Sequence, residues 1–427
     1  MLYALKESFK KALPSPLLSA YHLSLAWLSA ARYGFPSRKL IVVGVTGTKG
    51  KSSVSEMTAA IFEEAGFKTA LANTIRFKTG DASRPNLFKM TMPGRGYLQK
   101  VLAEAVRNGC THAVLEVSSE GARQYRNAGI ALDALIFTHI SPEHIESHGS
   151  YENYKKAKLG IGWSLVRSSK RPRTIIANAE DELGKKFLAL PVERVVPFRR
   201  EDAKPYALLA GRVAMTFKGL PFEVPFPGEF TVMNALAAAS AAASLGVSPE
   251  IIAQALSCMK PILGRAEKIE AGQPFSVIVD YAHTSDSLRA LFEAYPQRKI
   301  CVFGATGSNR DHWKRPQMGK VAEEYCAEII LTNDDPYDED PENVVRDIQS
   351  GMTKEAIIEL DRRLAIRHAL SLAKPGDAVL IAGKGTDPFL MEAGGKRTPW
   401  SDARVAREEL ERHLQHRGEE PSENVLS

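Results

Sequence analysis

Lys39-Leu40-Ile41-Val42-Val43-Gly44-Val45-Thr46-Gly47-Thr48-Lys49-Gly50-Lys51-Ser52-Ser53 is the stretch on which the fold turns. Its first part, 39–45, is apolar and β-branched, which predicts a strand. A glycine-rich turn follows, and 52–65 reads as a helix that stops at Gly66, a residue suited to a C-cap. Strand, glycine loop and helix in that order open a parallel α/β domain. Backbone N–H groups in such a turn, at the head of a helix, cradle phosphate oxygens. Lys51 adds a point charge toward the terminal phosphates, and the Ser52 hydroxyl is a ligand for Mg²⁺. The general pattern puts a glycine five residues before Gly50, where this chain has Val45. The strand-to-helix context is retained, so ATP phosphates are expected on Gly47, Thr48, Lys49, Gly50, Lys51, Ser52 and Ser53.

Outward from this loop, strands are predicted at 113–117, 134–138 and 174–177, with a helix over 97–108. That alternation predicts a parallel sheet covered on both faces. Between 207 and 230 the texture changes to short alternating segments with Gly and Pro, an antiparallel hairpin region. An alanine-rich helix is expected over 234–243. A second α/β run supplies strands at 276–280, 299–303, 329–332 and 378–382, and the tail after Gly418 is polar. The architecture predicted is α/β: a P-loop parallel-sheet ATPase domain at 39–262, a Rossmann-like α/β domain at 263–427, and a short helical N-terminal segment at 1–38. The site is expected in the cleft between the two.

The bulk numbers narrow the function classes. A chain of 427 residues exceeds one ordinary core. With 44% hydrophobic and 25% charged residues it has the composition of a globular protein. A net charge of +6 with no basic stripe disfavours a nucleic-acid-binding module. Cys110, Cys258, Cys301 and Cys326 lie far apart with no CxxC pair, which fits a reducing cytoplasm. No run of eighteen apolar residues is present. Lys6, Lys10 and Lys11 precede the apolar stretch 17–31, but His22, Ser24 and Ser29 break the pattern of a signal peptide. Two readings of residues 1–35 stand: a helix packed on the next domain, or an amphipathic helix in peripheral contact with a membrane surface.

Other constellations carry chemistry. Glu116-Val117-Ser118-Ser119 ends an apolar strand, where a carboxylate beside a phosphate loop can hold a metal. His144 and His148 in H-I-E-S-H would share a helix face, yet Glu146 stands in the wrong slot for the HExxH of zinc proteases.

Taken together, the motifs resemble the Mur ligases, and within them the UDP-N-acetylmuramoyl-tripeptide synthetases. They are GTKGKSS at 47–53, TMP at 91–93, EVSSEGARQYR at 116–126 and FTHISPEHIESHGSYENYKKAK at 137–158. GEFTVMNALAAA at 228–239, GRAE at 264–267, DYAHTSDSL at 280–288, GSNRDHWKRPQMG at 307–319, TNDDPYDEDP at 332–341 and AGKGTDP at 382–388 follow in order. The resemblance implies that ATP phosphorylates an acceptor carboxylate and that an amino acid's amine then attacks the acyl phosphate, in peptidoglycan synthesis. It implies small-molecule partners, a monomer, and two Mg²⁺ sites held by Ser52, Glu116, His144 and Lys158, the last as a carbamate. Lys51, Lys158 and His283 would be catalytic, with Asn234, Arg265 and Asp280 on ATP. Thr91, Ser119, Gln124 and Arg126 would grip the muramoyl-peptide acceptor. Arg310, Asp334, Asp335, Tyr337, Gly383 and Asp387 would receive the amino acid.

Three departures qualify the match. Lys49 replaces the usual Asn of the loop, a variant that also resembles the sister folylpolyglutamate synthases. Asp334-Asp335-Pro336-Tyr337 stands where the diaminopimelate-selecting pattern is Asp-Asn-Pro-Arg, and Thr386-Asp387 replaces His-Glu. Losing the guanidinium removes the partner for a distal carboxylate. The acids Asp335, Asp338, Glu339 and Asp340 favour a basic incoming amino acid such as lysine. Finally, only 38 residues precede the predicted strand, too few for the family's N-terminal UDP-holding domain. That raises a lipid-linked acceptor at the inner membrane surface as the second expectation. A P-loop ATPase used as a switch is the alternative from another class; it would release phosphate without acceptor or amino acid.

Overall fold

The computed structural model describes residues 15–94, 96–143, 145–308 and 311–419. The first strand, β1 (Ile41–Thr46), begins two residues later than the apolar run, because Pro36–Lys39 forms a 3₁₀ turn. Its neighbours are β2 (Thr69–Ala72), β3 (Arg76–Thr79), β4 (Ala82–Pro85), β5 (His112–Glu116), β6 (Ala134–Phe137), β7 (Thr174–Asn178) and β8 (Arg194–Phe198). They form one sheet in the order β4-β3-β2-β5-β1-β6-β7-β8. β1 is central and runs parallel to both β5 and β6, so the chain reverses its winding direction at β1. Ligands gather at the carboxyl ends of strands beside such a reversal. The loop 47–50 leaves the end of β1 there.

The hairpin region is a separate antiparallel sheet of β9 (Ala207–Leu209), β10 (Arg212–Phe217) and β11 (Leu220–Val224). It ends before Phe230, which belongs instead to the helix Glu229–Ser244. That helix starts five residues ahead of the expected 234 because Gly228, with φ 83°, opens it without a side-chain cap. A capping side chain was the signal that composition alone could not replace.

The second sheet has the order β12-β13-β17-β14-β15-β16, from β12 (Glu267–Lys268), β13 (Ser276–Asp280), β14 (Lys299–Phe303), β15 (Glu328–Leu331), β16 (Ile357–Ile358) and β17 (Ala378–Ala382). Only β12 is antiparallel within it. A short ribbon of β18 (Phe389–Met391) and β19 (Arg397–Pro399) lies beyond. Three strands of this sheet end at site residues: β13 at Asp280, β15 just before Asp334, and β17 just before Gly383.

Four apolar clusters form the core. Two lie among residues 40–262, on either face of the first sheet, and two among residues 269–414, around the second. Every member of each cluster belongs to one sheet's half of the chain.

The apolar N-terminal stretch is a helix, Ser15–Arg32. Ala26 and Ala30 are buried against the first sheet's half, where Ala30 meets Gly129 and Ser29 meets Gly96 so closely that neither glycine has room for a β-carbon. None of the helices, among the described residues, is long and apolar enough to cross a membrane.

Candidate active site

The loop after β1 ends at Gly50, whose φ of 80° makes it the N-cap of the helix Lys51–Glu64 with no side chain satisfying the first N–H groups. Those donors point into a cleft of roughly 1510 Å³ that runs between the two sheets. Gly50 also abuts Asn234, whose Oδ1 a β-carbon at 50 would strike. Gly50→Ala is therefore expected to weaken binding of a non-hydrolysable ATP analogue about tenfold or more, since left-handed alanine costs about 1–2 kcal/mol before the clash is counted. Calorimetric titration reads this, and unchanged affinity would remove the loop from the phosphate site.

Around the loop the structure gathers a dense charge cluster. Ser52 Oγ donates to Glu116 Oε2 at 2.9 Å, and the same carboxylate oxygen accepts the Thr74 N–H at 2.9 Å. Arg265 reaches across from the second half, its guanidinium 3.3 Å from Ser52 Oγ. Lys51 Nζ donates to the Thr48 carbonyl at 2.9 Å, and burial lowers its pKa against the pull of Glu116 and Glu143. Lys158 projects from the helix Tyr151–Val166, is 1% exposed, and donates to the Gly47 carbonyl at 2.7 Å. Burial, with Lys51 nearby, holds its amine well below the ordinary lysine value. Thr48 Oγ1 and Tyr154 Oη share a hydrogen bond of 3.0 Å behind it.

Glu143 and Tyr154 were not singled out from sequence. Glu143 is buried, pairs with Lys49 at 3.2 Å, and meets His283 Nε2 at 2.9 Å. His283 Nδ1 faces the Tyr281 carbonyl at 2.7 Å, an atom that can only accept, so that nitrogen carries a proton. Burial pushes the imidazole below its usual value, and Lys49 adds to that. Asp280 is also in the cleft wall, but both its oxygens accept backbone N–H groups, from Ala266 and Ala282, at 2.7 Å each. The carboxylate shapes the turn as well as the wall.

The residues expected to grip an acceptor lie together along the same cleft. Thr91 and Thr74 share a 2.8 Å hydrogen bond, Ser119 faces His148 at 3.4 Å, and Arg126 donates to Gln124 at 2.6 Å. Tyr21, His22, Leu25 and Ala26 of the N-terminal helix form part of this end. His144 and Arg310 lie outside the described residues.

At the other end, Asp334, Asp335, Tyr337, Gly383 and Asp387 converge. The acidic run is not itself the pocket, a correction to the sequence expectation: Asp338, Glu339 and Asp340 are engaged elsewhere, and the carboxylates gathered at this end are Asp334, Asp335 and Asp387. Lys384, fully buried, lies 2.8 Å from Asp335, 3.5 Å from Asp334 and 3.6 Å from Asp387. Lys89 arrives from the first half, pairs with Asp335, and lies 3.5 Å from Asp387. Its ammonium is 5.9 Å from the centre of the Tyr337 ring. Glu339 is committed to Arg315, Asp338 accepts the Gly394 N–H, and Asp340 caps the helix Pro341–Gln349. Sequence spacing could not reveal Lys89 or Lys384 in these roles, because only the folded chain brings 89 to 335.

Comparisons with known proteins agree with this arrangement. A family model described as the Mur ligase middle domain matches residues 45–242, and one described as the Mur ligase, glutamate ligase domain matches 264–385. The chain is 34% identical over 414 residues to the UDP-N-acetylmuramoyl-L-alanyl-D-glutamate--2,6-diaminopimelate ligase of Geobacillus kaustophilus (strain HTA426), covering 92% of this chain and 83% of that one. It is 36% identical over 421 residues to the UDP-N-acetylmuramyl-tripeptide synthetase of Roseiflexus sp. (strain RS-1), covering 91% and 82%. A solved structure of a UDP-N-acetylmuramoyl-L-alanyl-D-glutamate--2,6-diaminopimelate ligase superposes with a TM-score of 0.58 at 28% identity, covering 88% of this chain and 79% of that one.

Proposed function

The chain belongs to the Mur ligase family, and from that premise we propose that it joins an amino acid to the carboxylate of a muramoyl-peptide acceptor at the expense of ATP, in the cytoplasm, for peptidoglycan synthesis. The observation that carries this reading is the cluster of Ser52, Glu116, Lys51, Lys158 and Arg265 at the carboxyl end of β1, between an acceptor wall and an amino-acid wall.

The residues fit the chemistry. The N-terminus of the helix Lys51–Glu64 and the loop N–H groups hold the phosphates, with Asn234 backing the turn. Lys51 and Arg265 neutralise charge on the phosphoryl group in transit. Ser52 and Glu116 place two hard oxygen ligands side by side, as a Mg²⁺ requires. Bound there, the ion would draw charge from the transferred phosphate. A second ion would need further anionic ligands, and Lys158 is suited to becoming one. Burial favours its uncharged amine, which can add CO₂ and lose a proton, so that an anionic carbamate stands where a lysine ammonium would otherwise be. His283, with Glu143, stands across the cleft to orient the reacting groups. Enclosure between two domains, divided at 262/263 and working as a monomer, keeps water from the acyl phosphate.

At the amino-acid end, three carboxylates and two ammonium groups lie within reach of one another. The remaining negative charge suits a side chain ending in an ammonium, lysine or ornithine, over one bearing a further carboxylate. Lys89→Met is then expected to lower the KM for lysine several-fold with the KM for ATP unchanged. A rise in that KM, or a wild-type preference for diaminopimelate in single-turnover ligation, would refute the assignment.

The test of the whole reading is a ligation assay on UDP-MurNAc-dipeptide with a panel of amino acids, read by mass. Phosphate release is expected to require both acceptor and amino acid. Release without either would favour the switch ATPase.

A further inference from the structure

One face of the helix Ser15–Arg32 packs on the protein and lines the cleft; the other stands largely open, with only Trp27 partly covered, by Phe35. On that outer face Leu17 is 59% exposed, Trp27 49% and Leu28 66%. Leu23 lies beside them, and no charged residue occurs anywhere between Leu17 and Ala31. Exposed apolar rows of this length on a helix mark a surface that meets something apolar.

The charge around the row says what. Residues 1–39 hold six basic groups, Lys6, Lys10, Lys11, Arg32, Arg38 and Lys39, against one acid, Glu7, a net charge of +5. The whole chain carries +6, so the other 388 residues are nearly neutral. An uncharged apolar face bracketed by basic groups, with Trp27 among its exposed side chains, is complementary to a layer that is apolar within and anionic at its rim. A second copy of this chain would bring the same positive charge to the contact and repel it.

We propose that the outer face of this helix lies in the headgroup region of an anionic bilayer, with the basic residues at and beyond its C-terminal end, Arg32, Arg38 and Lys39, against the lipid phosphates. The proposal stands on the helix and its charge alone and does not depend on the ligase reading. Because Tyr21, His22 and Leu25 line the cleft from the same helix, the docked protein holds that end of the cleft at the lipid surface.

The experiment is flotation of the full-length protein with vesicles of phosphatidylcholine alone or mixed with phosphatidylglycerol. Binding is expected to the mixed vesicles, weakened by high salt, and weak to the neutral ones. Leu17→Glu with Leu28→Glu is expected to lower partitioning about tenfold or more while ADP affinity stays at the wild-type value. Brominated lipid should quench a fluorescence component that is absent from Trp27→Phe. Failure of the wild-type protein to float, or equal flotation of the double variant, overturns the proposal. So does a concentration-dependent dimer that the double variant abolishes with vesicle binding unaltered, since the face would then belong to a second copy.

Discussion

Lys158→Ala is expected to lower ligation about 10³-fold or more while ADP binds within a few-fold of wild type. The side chain is buried beside the phosphate loop, fixed on the Gly47 carbonyl and surrounded by Lys51, Glu116 and Glu143. An ordinary ammonium in that position would be one more cation in an already basic loop. As a carbamate it would instead supply an anionic ligand for a second metal ion, and deleting it would remove that ligand. Two further measurements separate the carbamate from a structural lysine. Formate or acetate should restore part of the activity of Lys158→Ala by filling the vacated anionic position. The wild-type protein, given ¹³C-bicarbonate, should show a carbamate carbon resonance that the variant lacks. Intact turnover in Lys158→Ala, or no such resonance, would show that Lys158 is not carbamylated.

The largest stability effect is expected at Asp402. Arg362 and Asp402 are fully buried and joined by two hydrogen bonds, 2.8 and 2.7 Å. The same guanidinium donates to the carbonyls of Asn333 and Ala382, at 3.2 and 2.9 Å. Asp402→Ala leaves a buried cation unpaired, at a cost of about 3–5 kcal/mol. The melting temperature should fall by several degrees, and the KM for the amino acid should rise, because Asn333 and Ala382 immediately precede Asp334 and Gly383. Arg362→Met with Asp402→Leu, which removes both charges, should recover much of the lost stability. A melting temperature unchanged in Asp402→Ala would show that the pair contributes little.

What could be read from the chain divides along physical lines. The loop 47–53 and the strands ending at Glu116, Asp280 and Ala382 are local: their apolar runs and turn residues state the structure within a few positions. β3 and β4, with sequences RFKT and ASRP, carry no such pattern, being partly exposed and held by antiparallel pairing at the sheet's edge. Glu143 and Lys384 are charged residues that sequence would place on the surface. Only the fold buries them opposite partners far along the chain. The acids from Asp335 to Asp340 suggested a cation pocket for the same reason in reverse, since their true partners are Lys384, Lys89, Arg315 and backbone N–H groups.

Among the described residues no buried apolar cluster bridges the cleft, and the hydrogen bonds and ion pairs that do include Lys89 with Asp335, Arg265 with Ser52, His283 with Glu143 and the Glu146 N–H with Asp311. Opening the two halves therefore exposes charged surface and little hydrocarbon. Such a motion carries a small heat capacity change, so its equilibrium should vary weakly with temperature. Ionic strength is the variable it should answer to, because salt weakens each of these ties as they become wet. Small-angle scattering across a salt series would then show a widening molecule, where a temperature series below the melting point would show almost none.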